Sequence, residues 1–453
     1  MKKLIASLLC LAAVISAAAQ EEKEMKTGWS LGILPTATFS ADNGFQAGAF
    51  GDIYNYGDGS TYPDPLHKIS WEASYFTKSH RMRLYLAYDS KYLIPNMRVN
   101  ASITYMNDPL YSFWGFNGGA SLANLPQTYD KYWSNKDTDI NYFGMSRKML
   151  RILANVQGRI TDNLNWAAGI NFWNWKLGQM NDKGYKGADG NTHYYDKAKT
   201  LYQDYMDLGI IHADEANGGN ALEINAGVVY DTRDIEAAPN HGIWAEAYLN
   251  GNVLQHQYLK ACVYFRQYID IPVHIFKAGD PVFAYRLAWQ QTIAGETPVY
   301  MIQNIPLLVQ RNMITEGYGS TGTIRGLRDN RILTEGMAWA NLELRVKLVK
   351  FTLFNQYFYI AVNPFFDAGV ITKAYRTAEF EAASKANWVS KTDGFNFNTI
   401  YDAGKVGDVV YSAGAGLKIA WNQNFIISAE FAKCFYKPLD AGLWIGIGVN
   451  YCF

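Results

Sequence analysis

The sequence predicts an all-β fold, a transmembrane β-barrel of about sixteen antiparallel strands. Three observations carry that expectation. The composition is aromatic, glycine-rich and poor in charge. Apolar residues alternate with small or polar ones, period two, in one segment after another. The long connections between those segments all fall on one side of the barrel.

Aromatic residues make up 15% of the 453-residue chain, with 13 Trp, 32 Tyr and 23 Phe, beside 39 Gly and only 13 Pro. Charged residues are 18%, below the ~25% of ordinary soluble domains. The 41 basic and 41 acidic side chains cancel to a formal net charge of zero. A phosphate-binding surface needs a basic excess, so nucleic acid is not an expected partner. Length alone would allow roughly two or three domains. No segment reads as a linker, however, and one large barrel can be this long.

Residues 1–20 read as a secretory signal peptide, with Lys2 and Lys3 ahead of an apolar run at 4–15 and small residues at 16–19. A short leader at 21–27 would follow, and then the barrel at 28–453. Beyond residue 20 no apolar run reaches ~18 residues, so no helical span is expected. A barrel needs none, because alternation hides its lipid face from averaging. Cys262, Cys434 and Cys452 remain after processing, without CxxC spacing, and the histidines form no HExxH. Neither a disulfide framework nor a metal site is expected, and no cofactor.

Strands are expected to begin near residues 28, 43, 66, 82, 98, 149, 163, 221, 242, 258, 281, 337, 356, 407, 424 and 442. Ile69, Trp71, Ala73 and Tyr75 alternate with Ser70, Glu72 and Ser74. Leu259, Ala261, Val263 and Phe265 alternate with Lys260, Cys262, Tyr264 and Arg266. Leu342, Leu344, Val346 and Leu348 alternate with Asn341, Glu343, Arg345 and Lys347. Successive side chains of a strand point to opposite faces, so each segment has one apolar face and one polar or small face. In the last segment Leu443, Ile445, Ile447, Val449, Tyr451 and Phe453 share the apolar parity. This is expected to be the closing seam strand, with Tyr451 and Phe453 facing lipid. The connections at 107–148, 177–220, 294–336 and 371–406 follow strands 5, 7, 11 and 13 and so lie on one side, where extracellular loops belong.

Two segments are more specific. The first is VVYDTRDIEAAPNHG at 228–242; the second is GYGSTGTIRGLRDNR at 317–331, containing Ile324, Arg325, Gly326 and Leu327. The first resembles the strand-and-turn signature of the bacterial surface antigen domain. The second resembles the (V/I)-R-G-(F/Y) motif on the sixth extracellular loop of the same BamA-like outer-membrane assembly and translocation superfamily. Phe365, Phe366, Asp367, Ala368 and Gly369 are similar to its F-x-D-x-G strand motif, and GAGL at 414–417 and the closing GIGVNYCF agree. Leu327 stands where that motif has an aromatic residue.

The resemblance implies that the long loop folds into the lumen and is tethered there by its arginine. The residues allow the same reading. Asp367 shares the polar parity with Asn363 and Tyr359, and Glu343 points inward on the preceding strand. An Arg guanidinium can grip a carboxylate through two parallel hydrogen bonds. Arg325 with Asp367 is the expected tether, with Glu343 as secondary partner; a solvated loop arginine is the bland alternative. At the other end of the barrel, Asp231, Arg233 and Asp234 close the eighth strand, while Pro239 and Gly242 frame the next turn. They are expected to form a charge network at the periplasmic rim.

Two signals carry little. Residues 317–322 match GxGxxG, but no βαβ unit surrounds them, so no nucleotide is expected. Ser320 in YGSTG is a near miss for a nucleophile elbow, and His241 and His274 fall near the opposite, periplasmic turns. No enzyme is expected, and an outer-membrane hydrolase is the weakest functional reading.

Members of the resembled superfamily act through the barrel itself. The resemblance implies an accessory in assembly, insertion or translocation of outer-membrane or surface proteins, by strand addition at a labile seam. Expected partners are outer-membrane lipid and client β-barrel or surface proteins. The first strand starts about eight residues after the signal peptide, which leaves no room for a POTRA module. A POTRA-bearing partner or an assembly complex would then recruit clients. The alternative is a passive pore or structural barrel without a protein client.

Overall fold

The computed structural model describes residues 27–40, 44–61, 65–77, 79–117, 143–180, 185–186, 189–193, 200–235, 238–275, 277–306, 317–319, 322–353, 356–386, 409–421, 425–436, 442–449 and 451–453. The signal peptide at 1–20, the leader to residue 26 and Ser320 lie outside the described residues.

Among the described residues sixteen strands form one antiparallel sheet in which every strand pairs with its neighbours in sequence. They are β1 (Trp29–Ser40), β2 (Gly44–Asn55), β3 (His67–Phe76), β4 (Met82–Ile94), β5 (Met97–Ser112), β6 (Gly144–Arg159), β7 (Leu164–Gly178) and β8 (Gly218–Asp231). The second half comprises β9 (Gly242–Asn252), β10 (Tyr258–Asp270), β11 (Val282–Gly295), β12 (Gly336–Leu353), β13 (Gln356–Lys373), β14 (Val409–Trp421), β15 (Phe425–Cys434) and β16 (Leu443–Val449). β1 and β16 lie beside each other, so the sheet curls round into a barrel. A small separate hairpin pairs Tyr185–Lys186 with Thr192–His193. Helices α1 (Leu201–Asp207) and α2 (Thr377–Lys385) lie in the long loops.

Strand β10 shows why these segments pair as they do. Lys260, Cys262, Tyr264, Arg266 and Tyr268 are buried in the lumen, while Val263 and Ile269 are 44% and 41% exposed on the outer face. Exposed Leu287, Leu342, Phe366 and Leu417 continue that outer band around the wall. An apolar exterior over a charged and aromatic interior is stable only with hydrocarbon outside.

One strand pair differs from expectation. Asn107, Asp108 and Pro109 read as the start of a loop, yet β5 runs on to Ser112. Its register against β6 shifts between Asp108 and Tyr111, which places Pro109 at an irregularity, where its missing N–H is tolerated. Inward-facing Asp108 is gripped by Arg81, with Nη2 at 2.7 Å, and by Arg147 at 3.2 Å. Two buried guanidiniums extend the strand past its turn-like sequence.

The long connections cap the barrel on the side opposite the short turns. Trp114, Phe116, Tyr205, Ile210, Tyr300, Leu327, Leu333 and Phe380 pack into one core with Trp175 and Trp339 of the wall. Thr200 caps α1, its Oγ1 accepting from the Gln203 N–H at 3.1 Å. Arg376 binds the loops together, donating to Glu215 and to Glu296, the latter at 2.7 Å.

The lipid-facing band sets a first expected outcome. Leu287→Lys, on the outward face of β11, should destabilise the barrel by ~2–4 kcal/mol if it lies near the bilayer midplane, measured by reversible denaturant unfolding in lipid vesicles.

Candidate functional site: a loop arginine held in the barrel wall

The loop between β11 and β12 turns back into the lumen and delivers Arg325 to the inner wall. Gly326 permits this approach. Its φ is +87°, and a Cβ there would stand 3.0 Å from Ser412 Cβ and 3.1 Å from Ala432 Cβ. The Ser412 hydroxyl donates to the Arg325 carbonyl. Ile324 and Leu327, the flanking motif residues, are fully buried in the cap core.

The Arg325 guanidinium grips Asp367 on β13 with both arms, Nε to Oδ2 and Nη2 to Oδ1, each at 2.9 Å. The Arg325 main-chain N–H donates to the same carboxylate at 2.9 Å. Nη1 reaches Glu343 of β12 at 2.8 Å and Glu430 of β15 at 3.3 Å. The Phe365 ring lies 3.6 Å from the guanidinium carbon. Gly414 on β14 makes room for it, since a Cβ there would stand 2.6 Å from the ring.

The carboxylates have further cations. Arg345 Nε donates to Glu343 Oε1 at 2.6 Å, and Lys418 Nζ donates to Glu430 Oε1 at 2.7 Å. Three cations (Arg325, Arg345, Lys418) therefore meet three carboxylates (Glu343, Asp367, Glu430), all buried. Such a group holds its charge only while balanced, because any unpaired member would be stranded away from water. The expected residues Arg325, Asp367 and Glu343 meet at one point. Glu430, Arg345 and Lys418 complete it and were not singled out from the sequence. For two of them the signal was there: Glu430 and Lys418 are each the lone charge on the inward parity of their strand, as Lys418 is among Ser412, Gly414 and Gly416, whereas Arg345 shares its parity with Glu343 and Lys347.

A second arginine holds the loop's approach. Arg286 of β11 donates to Asn341 Oδ1 at 2.8 Å and to the Gly322 carbonyl at 3.0 Å. It also lies 3.5 Å from Cys452 Sγ. This contact exposes a correction. Tyr451 and Phe453 were expected on the lipid face of the seam strand, but β16 ends at Val449 and residues 451–453 are buried. Arg345 Nη2 donates to the Phe453 main-chain oxygen at 2.7 Å, and its guanidinium lies 4.1 Å from the Tyr451 ring. Aromatic side chains suit lipid and suit the faces of buried guanidiniums equally. Alternation by itself therefore cannot tell a strand that continues from a segment that turns inward.

At the opposite mouth, Asp231 ends β8 and grips Arg233, Nη2 to Oδ2 at 2.6 Å. The Trp244 ring lies 4.0 Å from Arg233 and 3.9 Å from Arg266. Asp234 accepts from the Asn240 N–H at 2.9 Å and side-chain amide at 2.7 Å, and from the His241 N–H at 3.4 Å. Pro239 is buried in this turn and Gly242 opens β9. Asn240 also accepts from Lys347 Nζ of β12 at 2.7 Å, so the turn reaches past β10 and β11 along the rim. His241 and His274 sit on this side, beside Asp234 and Asp280. Among the described residues no cluster of potential metal ligands occurs.

No protein-family model matches the chain, and neither does any curated protein sequence. Solved structures do. The chain is similar to BamA from Haemophilus ducreyi lacking POTRA domains 1–3, with 14% identity, a TM-score of 0.55, and coverage of 94% of this chain and 70% of that one. It is also similar to CdiB from Escherichia coli, with 9% identity and a TM-score of 0.52, covering 94% of this chain and 62% of that one, less than two thirds of it. The fold is that of a BamA-like outer-membrane β-barrel.

The balanced cluster makes Arg325→Ala costly, because it leaves three carboxylates facing two cations. A loss of ~3–5 kcal/mol is expected, with Arg325→Lys intermediate since it keeps the charge but loses the two-armed grip. Denaturant unfolding in vesicles checks both. The rim turn should respond to pH. Burial alone raises the Asp234 pKa, but hydrogen bonds from Asn240 and His241 outweigh it and leave the carboxyl below its ordinary value. A depressed folded pKa contributes stability above the unfolded value of ~3.9 and loses it as pH falls through the folded one. Amide-exchange protection at Asn240 and His241 should therefore persist at neutral pH and fade in acid below that value.

Proposed function

We propose that this barrel is an accessory in the assembly, insertion or translocation of outer-membrane or surface proteins, acting by strand addition at the seam between β1 and β16. One observation carries the reading. The two strands lie side by side, yet among the described residues no hydrogen-bonded register joins them. Backbone groups facing hydrocarbon without partners are costly, so an incoming strand that satisfies them is favoured. Two features support a weak seam. β16 has 7 residues where β12 and β13 each have 18. Pro35 removes one main-chain donor from β1.

The proposed clients are β-barrel or surface proteins, and the proposed recruiter is a POTRA-bearing partner or an assembly complex. The passive-pore alternative needs an open, wet lumen, whereas the loops form a packed core at its capped end. Cysteine pairs placed between Trp29–Ser40 and Leu443–Val449 test the proposal. Oxidation should abolish the barrel's contribution to outer-membrane protein assembly, and reduction should restore it. Normal assembly with the seam locked, or in cells lacking the protein, would overturn it.

A further inference from the structure

The turn at 271–281, joining β10 to β11 on the short-turn side, carries the most exposed large apolar side chain among the described residues. Ile275 is 74% exposed and Val273 46%. Val263, Phe265, Gln267 and Ile269 occupy the outward parity of β10 up to Asp270, the last residue of the ladder; beyond it the Val273 N–H donates to the Ile271 carbonyl at 2.8 Å, so the chain bends there.

The backbone holds these side chains outward. His274 has a φ of +50°. Its main-chain N–H donates to Asp280 Oδ1 at 2.7 Å, and its ring Nδ1 lies 2.8 Å from Asp280 Oδ2. Two exposed ammonium groups accompany the turn. Lys277 belongs to it, and Lys350 of β12 reaches over it, 3.6 Å from where a Cβ on Gly279 would stand. Asp280 is engaged by His274, which leaves Asp270 as the other acidic group at this end of β10.

Depth is marked by aromatics. Phe265, Phe283 and Tyr285 cluster on the outer face with centroids 5.9–6.0 Å apart, and the Tyr285 hydroxyl donates to Gln267 at 2.5 Å. Such girdles sit at the hydrocarbon boundary, so Val273 and Ile275 stand beyond it, at headgroup level. A protein strand is the other conceivable occupant, because β11 begins opposite Arg345 and leaves the β12 edge beyond it unpaired. That edge is blunted by a bulge between Lys347 and Val349 and by Lys347 and Lys350, features that discourage strand addition.

We propose that the described residues of this turn, with Lys350, dock an anionic phospholipid of the periplasmic leaflet. Val273 and Ile275 enter between headgroups, and Lys277 and Lys350 meet the phosphate. This is independent of the seam reading.

A benzophenone side chain at Ile275, or at Val273 as a second position, tests it in the full barrel. The vesicles are phosphatidylethanolamine with a minor share of phosphatidylglycerol, and heat-modifiable migration confirms folding. Mass spectrometry should find phospholipid adducts enriched in phosphatidylglycerol. That enrichment should fall about fivefold for each of Lys277→Gln and Lys350→Gln. The same label at Asp162, a 95% exposed side chain in another short turn, should give none. Adducts no more frequent than at Asp162, adducts without headgroup preference, or a protein adduct at Ile275 in native membranes would each overturn the proposal.

Discussion

A guanidinium with no access to bulk water must be matched by carboxylates, and much of this barrel's upper wall is arranged to match one. Arg325 arrives on a loop, but its partners come from three strands. Asp367, Glu343 and Glu430 converge only if β12 to β15 keep their register. The charge balance then extends outward to Arg345 and Lys418. A slip of one residue in any of these strands would turn its carboxylate toward lipid. The tether is thus a register lock for the wall as well as an anchor for the loop.

The same network reaches the end of the chain's last strand. Glu343 accepts from Arg325 through one oxygen and from Arg345 through the other, and Arg345 holds the Phe453 main-chain oxygen. One lip of the seam is therefore braced by buried ion pairs. On the strands behind β1 the ion pairs are wetter than those around Glu343: Arg83 and Glu72 lie 2.6 Å apart at 23% and 15% side-chain exposure. Lys68 with Asp52 lies 3.2 Å apart at 34% and 28% side-chain exposure, and pairs this wet contribute little. The rim turn, crossing from β8 to Lys347, adds a second brace to the same rigid wall.

Much of this was legible in the residues. Period-two alternation located the sixteen strands and told outside from inside, because a strand between lipid and lumen has no other way to satisfy both. Arg325, Asp367 and Glu343 could be paired in advance because motif and parity agreed. Glu430, Arg345 and Lys418 stayed hidden among other inward charges, since parity names a face but not the height at which side chains meet. Asn107, Asp108 and Pro109 misled for the same reason: a local turn signal cannot register two arginines waiting on adjacent strands.

The sequence by itself determined the all-β class, the sidedness of the loops and the outward face of the strands short of residue 451, all consequences of local periodicity against an apolar solvent. Only the tertiary structure decided that three cations and three carboxylates balance at one point, that residues 451–453 turn inward, and that among the described residues β1 and β16 share no ladder. Those outcomes depend on stagger between strands distant in the chain, and buried electrostatics act across space without regard to sequence separation.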